Sequence, residues 1–267
     1  MEDRTGHSHH PGGAKAVSGR RKAAFVRSRE GFTARDMFVH AAVGFLFTLP
    51  AIGIFSFSSI VAIADGMTTD RTITLSLTGM TLALAAGEFA FLLYLMRVVN
   101  RRPDGQAEIV LNLPEGPDAW RETAALYLPF AGVLALVTLT FVFLWPQHSQ
   151  SALGTFRITR GWIGTAAVWL SVPVTAVTSE ILYRGMGIAG YCKTGSPRRA
   201  VLWTAAVFCL MRPALSFFAF GIVLGTIRLR TKSLYCCIAV HAFHSLLYAA
   251  FGDMVHAATP TWFRMLV

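Results

Sequence analysis

Apolar runs long enough to cross a bilayer recur along this chain, at residues 38–63, 73–96, 124–145, 161–190 and 233–251. Such a run crosses as a helix, because hydrocarbon offers no partner to a bare backbone N–H or C=O. Two shorter runs, 199–211 and 214–227, flank Pro213. They predict a hairpin that stays partly within the membrane. The pattern predicts an all-α fold, a polytopic integral membrane helix bundle of about 7 spans. Composition agrees. Of 267 residues, 54% are hydrophobic and 14% charged, with mean hydropathy +0.52, whereas a soluble domain averages about 25% charged.

A formal net charge of +10 invites a nucleic-acid reading, but the charges are distributed otherwise. Eighteen of the 24 Lys and Arg lie in residues 1–36, 97–122, 192–199 and 228–232. The intervening connections hold Arg71, Arg157, Arg160 and Arg264. This alternation is the positive-inside pattern, so the expected setting is multi-pass in the plasma (inner) membrane with a cytoplasmic N-terminus. The bilayer is then the partner, with no role for nucleic acid. Residues 1–36 are expected to form a mobile basic cytoplasmic tail, with no cleavable leader, and 37–267 the membrane domain. His7, His9 and His10 are expected to be solvated in that tail. Cys192, Cys209, Cys236 and Cys237 are expected to behave as free, small hydrophobes. No cofactor or metal is expected. Pro114, Gly116 and Pro117 argue against regular structure in 103–122, with Ala119-Trp120-Arg121 at the interface.

Few ionisable residues fall inside the apolar runs: His40, Glu88, Glu180, Arg184, Arg212, His241 and His244. Charge at that depth is costly, so such residues pair, line a cavity or carry function. His40 is near enough to a span end to snorkel. Glu88 is expected to be paired with an arginine or protonated. Glu180 and Arg184, four apart, share one helix face and can form an ion pair. Pro173 is expected to kink their helix and open a cavity. His241 and Ser245 repeat the four-residue spacing in the last span, with His244 between them. A purely structural ion-pair network would use the same residues.

Three segments together resemble the CPBP family of membrane proteins, which includes type II CAAX prenyl proteases and bacteriocin-processing and self-immunity proteins. Ser179-Glu180-Ile-Leu-Tyr-Arg184-Gly185 is similar to the family's Glu-Glu-x-x-x-Arg motif. Phe208-Cys-Leu-Met-Arg212 stands where the family has Phe-x-x-x-His. His241-Ala-Phe-His-Ser245 stands where it has His-x-x-x-Asn or Asp. The linking stretch, with Gly221 and Gly225 for close helix packing, is also similar. The resemblance covers about 160–250 in order and spacing and implies a CAAX-protease-like C-terminal core.

In the family, the first Glu and the second-motif His are understood to activate water, and the third-motif His and Asn to stabilise the oxyanion. Glu180, Arg184 and His241 keep their motif positions. Ser179, Arg212 and Ser245 depart. Serine has no useful basicity, and arginine has no acceptor and keeps its proton. Ser245 can still donate a hydrogen bond. Arg212 needs an anion, either Glu180 or Glu88, and such a pair would seal the pocket that holds water in the family. Phe208, Glu88 and His244 are the other candidate cavity residues.

The leading expectation is a CPBP-type protein impaired or inactive as an intramembrane endopeptidase, acting by binding a membrane protein, peptide or other ligand. Next is an active endopeptidase using Glu180 as base with His241. A zinc site of His241, His244 and Glu180 is disfavoured by the nearby Arg212. A small transporter-like subunit would need repeats or broken helices matched between two halves, and the sequence has neither.

Overall fold

A computed structural model describes residues 31–66, 69–102, 114, 116–144, 161–211 and 215–258, and all regular structure among them is helical. The elements are α1 (Ala34–Ala64), α2 (Thr69–Asn100), α3 (Pro117–Leu144) and α4 (Gly161–Glu180). A π-helical segment (Ile181–Gly187), α5 (Ile188–Thr194), α6 (Pro197–Met211), α7 (Leu215–Thr231) and α8 (Leu234–Ala258) follow. Two described stretches are long and apolar enough to cross a membrane, Ala34–Ala62 and Thr78–Asn100, and Leu234–Leu247 is a shorter apolar one. α6 and α7, at 15 and 17 residues, fall short of the roughly 20 that a comfortable span needs.

Three boundaries differ from expectation for local reasons. α1 begins at Ala34, inside the expected tail. Thr33 and Asp36 form a capping box there: Thr33 N–H donates to Asp36 Oδ2 at 2.7 Å, and Asp36 N–H donates back to Thr33 Oγ1 at 3.3 Å. α3 begins at Pro117, so Ala119-Trp120-Arg121 is helical. Pro at the first helical position lacks only an N–H that would have no partner, and Asp118 complements the helix N-terminus. α4 runs through Pro173 and ends at Glu180, where the hydrogen-bond ladder widens from α to π over Ile181–Gly187.

Close packing sets the topology. α1 and α2 are antiparallel, with Gly44 against Phe91, Gly79 against Ile54 and Gly87 against the Phe47 carbonyl. α6 and α7 form the expected hairpin. A Cβ on Gly221 would meet Ala205 at 2.9 Å and one on Gly225 would meet Val201 at 2.9 Å. Small residues four apart let the two backbones approach. Gly187 packs on Met37 and Thr204, and Gly190 on the Thr33–Ala34 backbone. The start of α1 is thereby docked on the end of the π segment and α5. At the same end of the bundle Arg102 forks onto Asp36, at 3.1 and 3.2 Å, and Arg230 meets Glu122 at 3.4 Å. Outward, large apolar side chains such as Phe57, Leu128, Leu136, Leu170 and Leu210 are exposed. A surface of that kind suits lipid rather than water.

Candidate functional site: a buried Glu–Arg–His cluster

The motif residues of α4, the π segment, α6 and α8 converge in the core. Glu180, Arg184 and His241 are each 0% exposed, and Phe208 is 1% exposed. Glu180 Oε1 lies 3.2 Å from Arg184 Nη1 and 2.7 Å from His241 Nδ1. The four-residue spacing in the sequence therefore forms the expected ion pair. A carboxylate only accepts hydrogen bonds, so Nδ1 of His241 carries the proton in that contact. In a neutral imidazole this leaves Nε2 as the acceptor nitrogen.

Arg184 also ties the cluster to the hairpin. Its Nη2 donates to the Gly221 carbonyl at 3.2 Å, and its guanidinium lies 4.7 Å from the Phe208 ring centre. That face-on contact is favourable for a cation in a dry site. The His241 ring stands nearly perpendicular to Phe208 and Phe220, at 5.7 and 5.6 Å between centres. Glu180 Oε2 and Arg184 Nε are buried and make no hydrogen bond among the described residues. The π segment delivers this geometry. Such segments are uncommon and recur at functional sites, and here all seven residues from Ile181 to Gly187 are buried.

The other candidates separate. Glu88 is half-buried, and its Oε2 accepts from Thr178 Oγ1 at 3.2 Å. Thr178 precedes Glu180 by two residues and so points to a different face of α4. His244, one turn from His241, faces α3 and α7. Its Nδ1 is 3.3 Å from the Tyr127 hydroxyl, and its ring packs against Phe220 at 4.3 Å between centres, tilted by 30°. His40 pairs with Tyr94 at 2.9 Å. Ser179 and Ser245 are half-buried. Arg212 and the tail histidines lie outside the described residues, and so does either expected partner contact of Arg212. No group of three or more His, Cys, Asp and Glu able to hold a metal occurs among the described residues. Tyr127, Thr178, Phe220 and the Gly221 carbonyl are neighbours that sequence reading did not assign to the site. A Tyr or Phe in an apolar run carries no mark of its own, and a backbone acceptor carries none at all.

No curated protein and no solved structure matches the chain. The converging segments, however, are those that carry a family assignment. Residues 160–247 match the model described as type II CAAX prenyl endopeptidase Rce1-like, so this segment of the chain is similar to that CPBP-type, membrane-embedded family.

Proposed function

We propose that this chain is a multi-pass CPBP-type membrane protein, N-terminus cytoplasmic, whose endopeptidase chemistry is lost or strongly impaired and which acts by binding a membrane ligand or protein. One observation carries the reading. The glutamate retained at the motif is committed on one oxygen to both Arg184 and His241, in a fully buried cluster. A general base must reach the proton it abstracts. Both Glu180 oxygens are buried, Oε1 held by Arg184 and His241 and Oε2 closed off from solvent, and the residue before it is Ser179, which cannot serve as a base at neutral pH. The family water site would also require an acceptor at position 212, where the chain has arginine. The topology agrees with the orientation, since contacts gather the basic segments around Arg35, Arg102, Lys193 and Arg230 at one end of the bundle.

A second reading has its own support. Glu180 fixes the His241 tautomer with Nε2 as acceptor, the arrangement a carboxylate–imidazole base requires. The two readings part in a reconstituted assay. Purified chain in proteoliposomes is given a quenched farnesylated CAAX reporter peptide, alongside Glu180→Ala, His241→Ala and the restored Ser179→Glu/Arg212→His variant. The expected result is no turnover by wild type and turnover gained in the restored variant. Wild-type cleavage abolished by Glu180→Ala or His241→Ala would overturn the proposal in favour of an active endopeptidase.

A further inference from the structure

The basic end of the bundle is more than a topology signal. The described residues of the segments that gather there, 31–36, 97–102, 116–122, 192–199 and 228–232, carry eleven Lys and Arg against three Asp and Glu. Described carboxylates at this end are already engaged: Asp36 by Arg102, Asp118 by Arg121 and Glu122 by Arg230. Arg35, Arg97, Arg101, Arg198, Arg199 and Lys232 are exposed and have no carboxylate partner among the described residues.

Their placement is specific. Arg97 and Arg101 lie one turn apart at the end of α2, just beyond exposed Leu93 and Met96. Arg198 and Arg199 open α6, one turn before exposed Leu202 and Trp203. Arg35 precedes exposed Phe38 and Val39 on α1, and Lys232 precedes exposed Tyr235 on α8. Each cation therefore borders apolar surface that suits lipid, at the level where phosphates of a leaflet lie. Trp and Tyr favour that same level.

We infer that this rim of cations binds anionic phospholipid headgroups in the surrounding leaflet, so that the protein selects an anionic lipid annulus. Each Lys or Arg near such a surface favours anionic lipid about fivefold at low salt, and the preference decays over a Debye length of about 10 Å at 0.1 M salt. The inference concerns a surface remote from the Glu180 cluster and holds whether or not that cluster is catalytic.

The test places the full chain in phosphatidylcholine nanodiscs containing a trace of spin-labelled lipid. The motionally restricted fraction is compared for labelled phosphatidylglycerol and labelled phosphatidylcholine. Both faces of a nanodisc are accessible, so the result does not depend on orientation in the cell. Wild type is expected to prefer phosphatidylglycerol several-fold, and salt is expected to reduce the preference. The fourfold variant Arg97→Gln/Arg101→Gln/Arg198→Gln/Arg199→Gln is expected to lose most of that several-fold preference. Arg157→Gln/Arg160→Gln, which leaves all of these basic segments intact, is expected to keep it. Equal association of the two lipids with wild type, or a preference undiminished in the fourfold variant, would overturn the inference.

Discussion

Nδ1 of His241 lies 2.7 Å from Oε1 of Glu180, joining the last helix to the motif helix across 61 residues of sequence. Arg184 approaches the same oxygen at 3.2 Å and reaches the α7 backbone with its other nitrogen. One carboxylate oxygen thus links three parts of the bundle: the α4–π junction, the hairpin and α8. Such a link holds the fold together whether or not it performs chemistry, so mutational loss of function here must be read beside stability.

Removing the carboxylate alone strands a buried guanidinium. Glu180→Ala is expected to destabilise the protein by about 3–5 kcal/mol, because the remaining charge has no counter-ion. Glu180→Ala/Arg184→Met removes both charges and keeps volume at position 184. Its loss is expected to be smaller than that of Glu180→Ala alone. Thermal unfolding of the purified variants in one detergent gives the comparison. A double variant less stable than Glu180→Ala would show that Arg184 stabilises the core without its partner.

The two histidines of α8 should behave differently. His241 binds a buried carboxylate, whereas His244 meets a neutral tyrosine hydroxyl at 3.3 Å and packs against Phe220. A hydrogen bond to a charged group contributes about 1.5–3 kcal/mol, and one between neutral groups about 1 kcal/mol. His244→Phe preserves the ring packing and is expected to cost less than about 1.5 kcal/mol. His241→Phe is expected to cost clearly more. Equal midpoints for the two variants would contradict the assignment of His241 to the charged cluster.

What could be read from the sequence follows the range of the interaction. The Glu180–Arg184 pair depends on four-residue spacing alone and forms as expected. The Gly221–Gly225 spacing likewise announced a close helix contact, and Ala205 and Val201 provide it. The contact between Glu180 and His241 came only through resemblance to a family, since no local pattern joins residues 61 apart. The π segment was invisible: Ile181–Gly187 has no residue that demands a wide turn, and periodicity alone continues the α-helix. The Gly221 carbonyl was invisible for a simpler reason, because every residue has one. The early starts of α1 and α3 were missed because both first turns are polar, capped by Thr33 and Asp36 or opened by Pro117, while the reading followed apolar content.

The hairpin glycines offer a test by compensation. The atoms nearest an added Cβ at Gly225 all belong to the Val201 side chain, at 2.9–3.4 Å. Overpacking of this sort costs about 1–3 kcal/mol. Gly225→Ala is expected to be destabilising, and Gly225→Ala/Val201→Ala to recover most of the loss. An added Cβ at Gly221 would instead meet the Ala205 backbone, with Cα at 2.9 Å. Gly221→Ala/Ala205→Gly is therefore expected to recover little. Melting temperatures of the four variants in one detergent decide this. Equal recovery at both positions would mean that the helices separate freely and that close approach does not hold the hairpin.

The docked start of α1 separates a cap from a surface ion pair. Asp36 accepts from the Thr33 N–H at 2.7 Å and hydroxyl at 2.8 Å, and also receives the Arg102 fork. Loss of a capping interaction costs about 1 kcal/mol, and an exposed ion pair contributes about 0–1 kcal/mol. Asp36→Ala removes both and is expected to lower stability by about 1–2 kcal/mol. Arg102→Ala removes only the pair and its contact with the Phe32 ring, and is expected to cost less than about 1 kcal/mol. Salt should divide them further, because screening weakens the ion pair and leaves the short-range cap largely intact. Raising salt is thus expected to narrow the gap between wild type and Arg102→Ala while leaving most of the Asp36→Ala deficit. A deficit in Asp36→Ala that vanishes in high salt would assign the whole contribution to Arg102 and none to the cap.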